Sequence, residues 1–270
     1  MIHPHCTTEQ PTLFPIKEIK NDNALFKTFV FAGNIDSKPG QFVMLWLPGV
    51  EMKPFSISKE EDGFFEITIM QVGAFTKALF ELKAGDMLGI QGPYGRPFTL
   101  KDLAEKVVLV GGGCGIAPLI HLAFFLKNQP VKTYFIAGCR QKDLLIKEEP
   151  IKKLSTKSYF VSNDGSLGEK GYPTDKLKEL LATEKIDQIF ACGPEPMLVP
   201  LARIAVEKEV PCQISVERFM QCGIGICGQC SLDDSGLRVC HEGPVFEAQK
   251  LLESPEFGKY KRDKRGRISN

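Results

Sequence analysis

Four cysteines near the carboxyl end are the residues best placed to do chemistry. The segment ERFMQCGIGICGQCSLDDSGLRVC spaces them as Cys222-x4-Cys227-x2-Cys230-x9-Cys240. Four thiolates at C-x4-C-x2-C…C spacing suit a 2Fe-2S cluster of the plant type. Gly223, Gly225 and Gly228 lie between the ligands. A chain that wraps a small inorganic core needs backbone freedom and close approach, and glycine supplies both. Amide N–H groups aimed at the sulfurs would stabilise the extra negative charge of a reduced cluster. The rival reading is a structural zinc site, which also accepts four thiolates but usually as two well-separated C-x2-C knuckles. Here three ligands share one nine-residue loop, which favours iron–sulfur. The chain has nine cysteines, an odd number, so evenly paired disulfides are not expected.

A second chemical signal is Gly111-Gly112-Gly113-Cys114-Gly115-Ile116-Ala117-Pro118, which follows an apolar run and opens a helical one. Such a turn lets a phosphate approach backbone amides and a helix N-terminus. It departs from the G-x-G-x-x-G dinucleotide fingerprint, and a tight strand–helix connection is the plain alternative. Cys114 reads as a small packing residue. Loops at Gly138-Cys139-Arg140, Asp164-Gly165-Ser166 and Cys192-Gly193-Pro194 also follow predicted strands. Ligands of an open parallel sheet bind outside the carboxyl ends of its strands, so four such loops describe a nucleotide cleft.

A third signal is Lys53-Pro54-Phe55-Ser56-Ile57-Ser58, expected at a strand end, with Gly73-Ala74-Phe75-Thr76-Lys77 opening a helix downstream. A cation and a hydroxyl facing that helix start could hold a pyrophosphate and a flat ring. Taken alone, they would read as a solvated strand end.

The elements that must position these residues fall into three regions. From 11 to 100 the signals are strand-like: Phe26–Gly33, Gln41–Leu47, Phe64–Met70 and Met87–Ile90 are separated by turn residues, as in a small antiparallel barrel. From 101 to 216 short apolar runs alternate with helical ones, which predicts a parallel sheet covered on both faces. Its helices are expected over Leu119–Lys127, Leu144–Leu154, Thr174–Leu181 and Met197–Lys208, and its last strand at Ile214–Val216. The region 217–270 is too short for a core of its own and is expected to fold around what its cysteines bind. The first ten residues read as a loose terminus.

Composition bounds the function. The chain has 270 residues, 43% hydrophobic and 25% charged, which is ordinary globular usage for about two domains. The 34 basic and 33 acidic side chains leave a net charge of +1, which argues against a surface built to grip nucleic acid or anionic lipid. The local basic excess, Lys259 to Arg267, reads as a solvated, mobile tail. Val107–Leu126 lacks a formal charge and is long enough to span a bilayer. Its glycines, Pro118 and His121 instead suit a strand, turn and helix, so no membrane span is expected. The amino end shows no secretory pattern, and a cytoplasmic location is expected.

Taken together, a basic-x-Phe-Ser motif, GGGCGIAP, CGP and CGIGICGQC…C resemble the ferredoxin–NADP reductase superfamily. Within it, residues 14–250 resemble the electron transfer subunits of type B dihydroorotate dehydrogenases, which carry FAD and a 2Fe-2S cluster. The resemblance implies that Lys53 stands where relatives have an arginine pairing with the FAD phosphate, with Pro54 and Phe55 beside it and Ser56 near the flavin ring. Lysine keeps the charge but loses the bidentate fork. It implies a second phosphate turn at Gly73, Thr76 and Lys77. It implies a nicotinamide-nucleotide turn at Gly112, Gly113, Gly115 and Pro118, with Cys192 and Gly193 beside the nicotinamide. Arg96-Pro97-Phe98-Thr99 also fits the arginine pattern, but it follows GPYG, out of the expected order.

The implied function is electron transfer between NAD(H) or its phosphorylated form, FAD, the cluster and an FMN-containing catalytic dihydroorotate dehydrogenase subunit, without nucleic acid or membrane partners. A hydride carries two electrons and a cluster accepts one, so a flavin belongs between them. The reductase subunit of a hydrogenase or sulfur reductase, and a ferredoxin:NADP transhydrogenase, share this chemistry with other partners. A colourless metal sensor with a bound nucleotide is the non-enzymatic alternative. No histidine is a candidate for catalysis.

Overall fold

The computed structural model describes residues 10–269. Most of the amino-terminal segment read above as loose lies outside them. The first strands are β1 (Thr12–Asn21), β2 (Phe26–Ala32), β3 (Phe42–Leu47), β4 (Glu51–Glu61) and β5 (Phe64–Met70). A short helix, α1 (Ala74–Phe80), then leads to β6 (Met87–Tyr94). The six strands close an antiparallel barrel in the order β1-β2-β5-β4-β3-β6. Alternation decides which side chains fill it. Along β5, Phe65, Ile67 and Ile69 are fully buried and pack with Phe29, Phe31, Val43, Leu45 and Ile57. Lys53–Ser58 lies within β4 and not at its end, because β4 runs on to pair with β5.

The second region begins with β7 (Lys106–Gly112), a short 3-10 turn at Gly113–Gly115 and α2 (Ile116–Lys127). It continues with β8 (Lys132–Cys139), α3 (Glu148–Leu154), β9 (Lys157–Ser162), β10 (Glu169–Lys170), α4 (Pro173–Thr183), β11 (Gln188–Cys192), α5 (Glu195–Glu207) and β12 (Cys212–Ser215). The expected helix over 144–154 is shorter than predicted: Lys142–Leu144 forms a separate 3-10 turn, and Lys147 enters α3 from a left-handed conformation. The sheet order is β10-β9-β8-β7-β11-β12-β13, where β13 (Val245–Glu247) comes from the third region. Strands β7 to β12 pair in parallel, whereas β13 is antiparallel to β12. The expectation that Ile214–Val216 closes the sheet is therefore corrected. β12 left bare would expose an unpaired edge, and β13 covers it.

The chain leaves β7 toward β8 on one side and returns to β11 on the other. This reversal is the switch point where a ligand crevice forms. The glycine turn and the Cys192–Glu195 loop both rise there. The apolar stretch once compatible with a membrane is thus β7, turn and α2. Among the described residues no helix is long and apolar enough to cross a membrane.

The third region adds α6 (Ala248–Leu252) and a hairpin of β14 (Lys261–Arg262) and β15 (Ile268–Ser269). The basic tail is solvated at Lys259, Lys264, Arg265 and Arg267 but is tied down at Arg262. Arg262 is held by both carboxylate oxygens of Asp233, at 3.1 and 2.9 Å, and the Tyr260 hydroxyl donates to the same group.

Barrel and sheet are tied by buried polar contacts. Lys147 pairs with Asp22 at 2.8 Å and donates to the Thr28 hydroxyl, while the Asn23 amide donates to the Leu145 carbonyl. Helix α2 is buried between the sheet and β4. His121 on this helix is buried, and its Nδ1 lacks a hydrogen-bond partner among the described residues. Burial pushes its imidazole down to about 4, against a weaker upward pull from Glu60. The folded form therefore resists a proton that the unfolded chain accepts near 6.5. Stability is full above that value and falls as pH drops toward 4, by up to about 3 kcal/mol from this group. Denaturant unfolding across this range should show the slope in the unaltered chain and a shallower one in His121→Gln.

Candidate electron-transfer site

A cavity of about 570 Å³ lies where the barrel meets the sheet. Strand β4 brings Lys53, Pro54, Phe55 and Ser56 to its wall. β5 and the entry to α1 add Thr68, Met70, Gly73, Phe75 and Thr76. The glycine turn and α2 supply Cys114, Ala117 and Pro118, and the end of β11 supplies Cys192. The wall is completed by Ser215, Glu217, Arg218, Phe219, Met220 and Pro244. An apolar cleft with a few convergent polar groups suits a flat heterocycle. Phe55 and Phe75 stack at 6.1 Å beside it.

Each group has a defined environment. Lys53 pairs with Glu51 at 2.8 Å and lies over the Phe219 ring at 4.8 Å, so its stem and charge are both engaged. The Thr76 hydroxyl accepts from the amides of Val72 and Gly73 and donates to the Gly73 carbonyl, which fixes the turn before α1. Burial pushes the Cys192 thiol up, with Glu217 adding to the effect. Burial, then Glu217, pushes Cys114 up to about 12, and its thiol donates to Glu217 at 3.5 Å. Both thiols therefore stay neutral at ordinary pH.

The sequence-predicted residues divide. Lys53, Pro54, Phe55, Ser56, Gly73, Thr76, Pro118 and Cys192 meet on this one cavity. Lys77 is exposed on α1 and outside the wall. Gly112, Gly115 and Gly193 pack tightly off the wall, while Gly113, also off the wall, faces open space. A Cβ on Gly115 would meet the Cys192 carbonyl at 2.3 Å, and one on Gly112 would meet the Met197 sulfur at 2.8 Å. Arg96 faces a different cavity, of about 650 Å³, beside Cys240 and His241. Sequence reasoning missed Glu217, Phe219 and the lining role of Cys114. The available signal was position: Glu217 and Phe219 follow directly on the carboxyl end of β12, where ligands bind.

The four cluster cysteines form two pairs. The Cys227 amide donates to the Cys222 sulfur at 3.5 Å, and the Cys240 amide donates to the Cys230 sulfur at 3.4 Å. Burial opposes the Cys222 thiolate, but the amides of Cys227, Ile224 and Ile226 outweigh it and bring the thiol to about 7. Cys230 comes down to about 6, chiefly through a hydrogen bond with Cys240, whose own thiol is raised by the same contact. The pairing of Cys222 with Cys227 and of Cys230 with Cys240 is the arrangement in which two irons take their thiolates two by two. The donor set therefore fits a 2Fe-2S cluster. Gly223 packs on Met44 and Tyr94 of the barrel, and the Arg238 guanidinium donates to the Gly225 carbonyl. Cys230 and Cys240 are buried, while Cys227 is exposed.

Cavity and cysteine loop are neighbours by covalent structure. Met220 is on the cavity wall, and Cys222 follows two residues later, a reach of about 7 Å at full extension. A buried guanidinium fixes the junction. Arg218 is bonded to Glu195 at the start of α5 and, at 2.5 Å, to Glu256. Glu256 in turn accepts from the Asp233 amide at 3.0 Å.

A barrel with a flat-ring cavity, a nucleotide crevice at the sheet's switch point and a two-pair cysteine loop define a flavin-dependent reductase of the ferredoxin reductase type. Comparison with known proteins agrees, segment by segment. Residues 12–98 match the oxidoreductase FAD-binding domain, 109–200 the oxidoreductase NAD-binding domain, and 217–252 the iron–sulfur cluster binding domain of dihydroorotate dehydrogenase B. The chain is 46% identical over 259 residues to the probable dihydroorotate dehydrogenase B (NAD(+)), electron transfer subunit of Methanocaldococcus jannaschii, covering 96% of this chain and 98% of that one. It is 48% identical over 228 residues to the subunit of the same description from Thermococcus kodakarensis, covering 84% and 91%. A chain of the NADH-dependent reduced ferredoxin-NADP oxidoreductase superposes with a TM-score of 0.81 at 30% identity, covering 88% and 89%. The chain belongs to the family of dihydroorotate dehydrogenase B electron transfer subunits. It is an oxidoreductase subunit of the electron-transfer kind, with binding domains for FAD, NAD and an iron–sulfur cluster.

The contact between Gly115 and the Cys192 backbone makes a testable point. Gly115→Ala would push the glycine turn and the β11 loop apart. Stopped-flow flavin reduction by NADH is expected to slow on the order of a hundredfold. Flavin and iron content should be unchanged.

Proposed function

We propose that this chain carries electrons between NAD(H) and an FMN-containing catalytic dihydroorotate dehydrogenase subunit, in the reducing cytoplasm. The observation that carries the reading is the two-residue step from Met220 on the cavity wall to Cys222 in the cysteine loop. We read the chain as three functional parts: a flavin part over 11–100, a nucleotide part over 101–216 and a cluster part over 217–270.

A flavin accepts a hydride and releases electrons singly, and that is the chemistry FAD supplies between a nicotinamide and an iron–sulfur centre. The protein's share is to bind and orient. Ser56, on β4, would stand beside the flavin ring and Cys192, at the end of β11, beside the nicotinamide; these are the candidate catalytic residues. Pro54 and Phe55 present the apolar edge of the same strand to the ring. Lys53 supplies a cation toward the flavin phosphate, moderated by Glu51. Gly73 and Thr76 shape a second phosphate turn, and Lys77, exposed on α1, adds positive charge near it from outside the wall. Gly112, Gly113, Gly115, Pro118 and Gly193 keep the crevice open for a pyridine nucleotide. Cys222, Cys227, Cys230 and Cys240 hold the cluster, and exposure of Cys227 puts its outer edge within reach of a second protein.

The relatives named as dihydroorotate dehydrogenase B subunits support this partner. The likeness to the ferredoxin-NADP oxidoreductase chain supports a ferredoxin-linked partner as the second reading. Co-expression with a catalytic dihydroorotate dehydrogenase subunit decides between them. The expected result is a stable complex that reduces NAD with dihydroorotate. Failure to associate at any concentration, with turnover of ferredoxin instead, would contradict the first reading.

A further inference from the structure

Polar side chains on the outer face of the barrel form an unbroken hydrogen-bonded row that starts on the cavity wall. Ile57 of β4 pairs with Ile67 of β5, and both point into the barrel core. Alternation turns their neighbours Ser56 and Thr68 outward, side by side, and both line the cavity. Thr28 of β2 is the cross-strand partner of Thr68, and their hydroxyls are 2.8 Å apart. The Thr28 hydroxyl donates to the Asp22 carboxylate at 2.6 Å. Lys147, from the sheet region, donates to the Thr28 hydroxyl at 2.6 Å and pairs with Asp22 at 2.8 Å. Thr28 is fully buried, whereas the Asp22 side chain keeps 11% of its surface exposed. The row therefore runs from the cavity wall through Thr68, Thr28 and Asp22 to solvent.

The hydroxyl protons give the row a direction. A hydroxyl has one proton to donate and two lone pairs to accept with. Thr28 donates to Asp22, so Thr68 is the donor in the 2.8 Å contact between them. The Thr68 oxygen keeps its acceptor capacity, on a residue of the cavity wall. A proton arriving there can pass by exchange: Thr68 accepts it and gives its own to Thr28, Thr28 gives its own to Asp22, and the carboxylate hands it to water. The other acceptor open to Thr68, the Ser58 hydroxyl, is farther away at 3.2 Å. That branch ends on the Glu66 carbonyl, which has no proton to pass on.

Electron transfer of the proposed kind needs such an exit. A hydride brings two electrons and one proton into the cavity. When the electrons leave singly toward the cysteine loop, the proton has to reach water. With ferricyanide as acceptor the balance is one NADH and two ferricyanide ions to one NAD(+), two ferrocyanide ions and one proton. Resting on the function proposed above, we propose that Thr68, Thr28 and Asp22 are the proton exit of the cavity. Lys147 is a positioning residue that holds Thr28 and Asp22 in line, and it does so only when barrel and sheet are docked.

The test follows the FAD- and iron-loaded chain by stopped flow in two halves. The first is flavin reduction by NADH without oxygen. The second is delivery of the stored electrons to ferricyanide, with a pH-indicator dye recording proton release. Thr28→Val keeps the shape of the side chain and removes only the hydroxyl. Lys147 keeps Asp22, and Thr68 keeps Ser58, so no partner is stranded. The variant is expected to leave the first half unchanged and to slow the second on the order of a hundredfold, with the proton signal delayed equally. Thr68→Val should slow the second half by the same factor, because the two groups act in series. Thr28→Ser should restore the original rate. FAD affinity of the Thr28 variants, read from quenching of flavin fluorescence, should be unchanged. An unaltered second half in Thr28→Val would overturn the proposal. So would equal slowing of both halves with weaker FAD binding, or a Thr28→Ser chain as slow as Thr28→Val, either of which makes the row structural. Failure of the underlying function would show differently, as no flavin reduction by NADH in the unaltered chain.

Discussion

Arg218 is placed between two carboxylates, Glu195 and Glu256, with all three side chains almost wholly buried. Burying such ions unpaired costs several kcal/mol each, so the guanidinium and its partners hold one another in place. The consequence is geometric. Glu195 opens α5 directly after the Cys192 loop, Glu256 anchors the backbone at Asp233, and Arg218 itself precedes Phe219 and Met220 on the cavity wall. Three segments distant in sequence thereby share one fixed point. Movement of the nucleotide loop relative to the cysteine loop would have to break a buried ion pair.

That rigidity suits the chemistry. The cavity wall combines the neutral thiols of Cys114 and Cys192 with the charged side chains of Lys53, Glu217 and Arg218. The cysteine loop is the opposite environment. Its sulfurs receive backbone N–H bonds and two of its thiols are shifted toward the thiolate, which is what a metal ligand requires. Met44 and Tyr94 of the barrel pack against the loop at Gly223. On the other side Cys227 and Ile226 are exposed.

Much of this was legible in the sequence, for identifiable reasons. The strand Phe64–Met70 declared itself by near alternation, and the β7–turn–α2 unit by apolar runs broken at glycines. The cysteine spacing named its own chemistry because ligand distances along the chain are fixed by the cluster. The sheet's final strand was not legible. Val245–Glu247 is three residues long and pairs with β12 across the intervening segment 216–244, a tertiary choice without a local pattern. The tail was legible only in part, because charge density says nothing of partners: Lys261 and Arg262 pair with Glu195 and Asp233, while Lys259, Lys264, Arg265 and Arg267 are exposed as expected. Glu217 and Phe219 were hidden in plain view beside a louder motif. Their role comes from the end of the strand before them.

The central claim is that cavity and cysteine pairs form one electron path. The most direct measurement is the iron and flavin content of anaerobically purified protein, with its visible spectrum before and after NADH. The account predicts two irons and one FAD per chain, and bleaching of both flavin and iron–sulfur bands by NADH alone. Zinc in place of iron, or flavin bleaching with the iron–sulfur bands untouched, would contradict it.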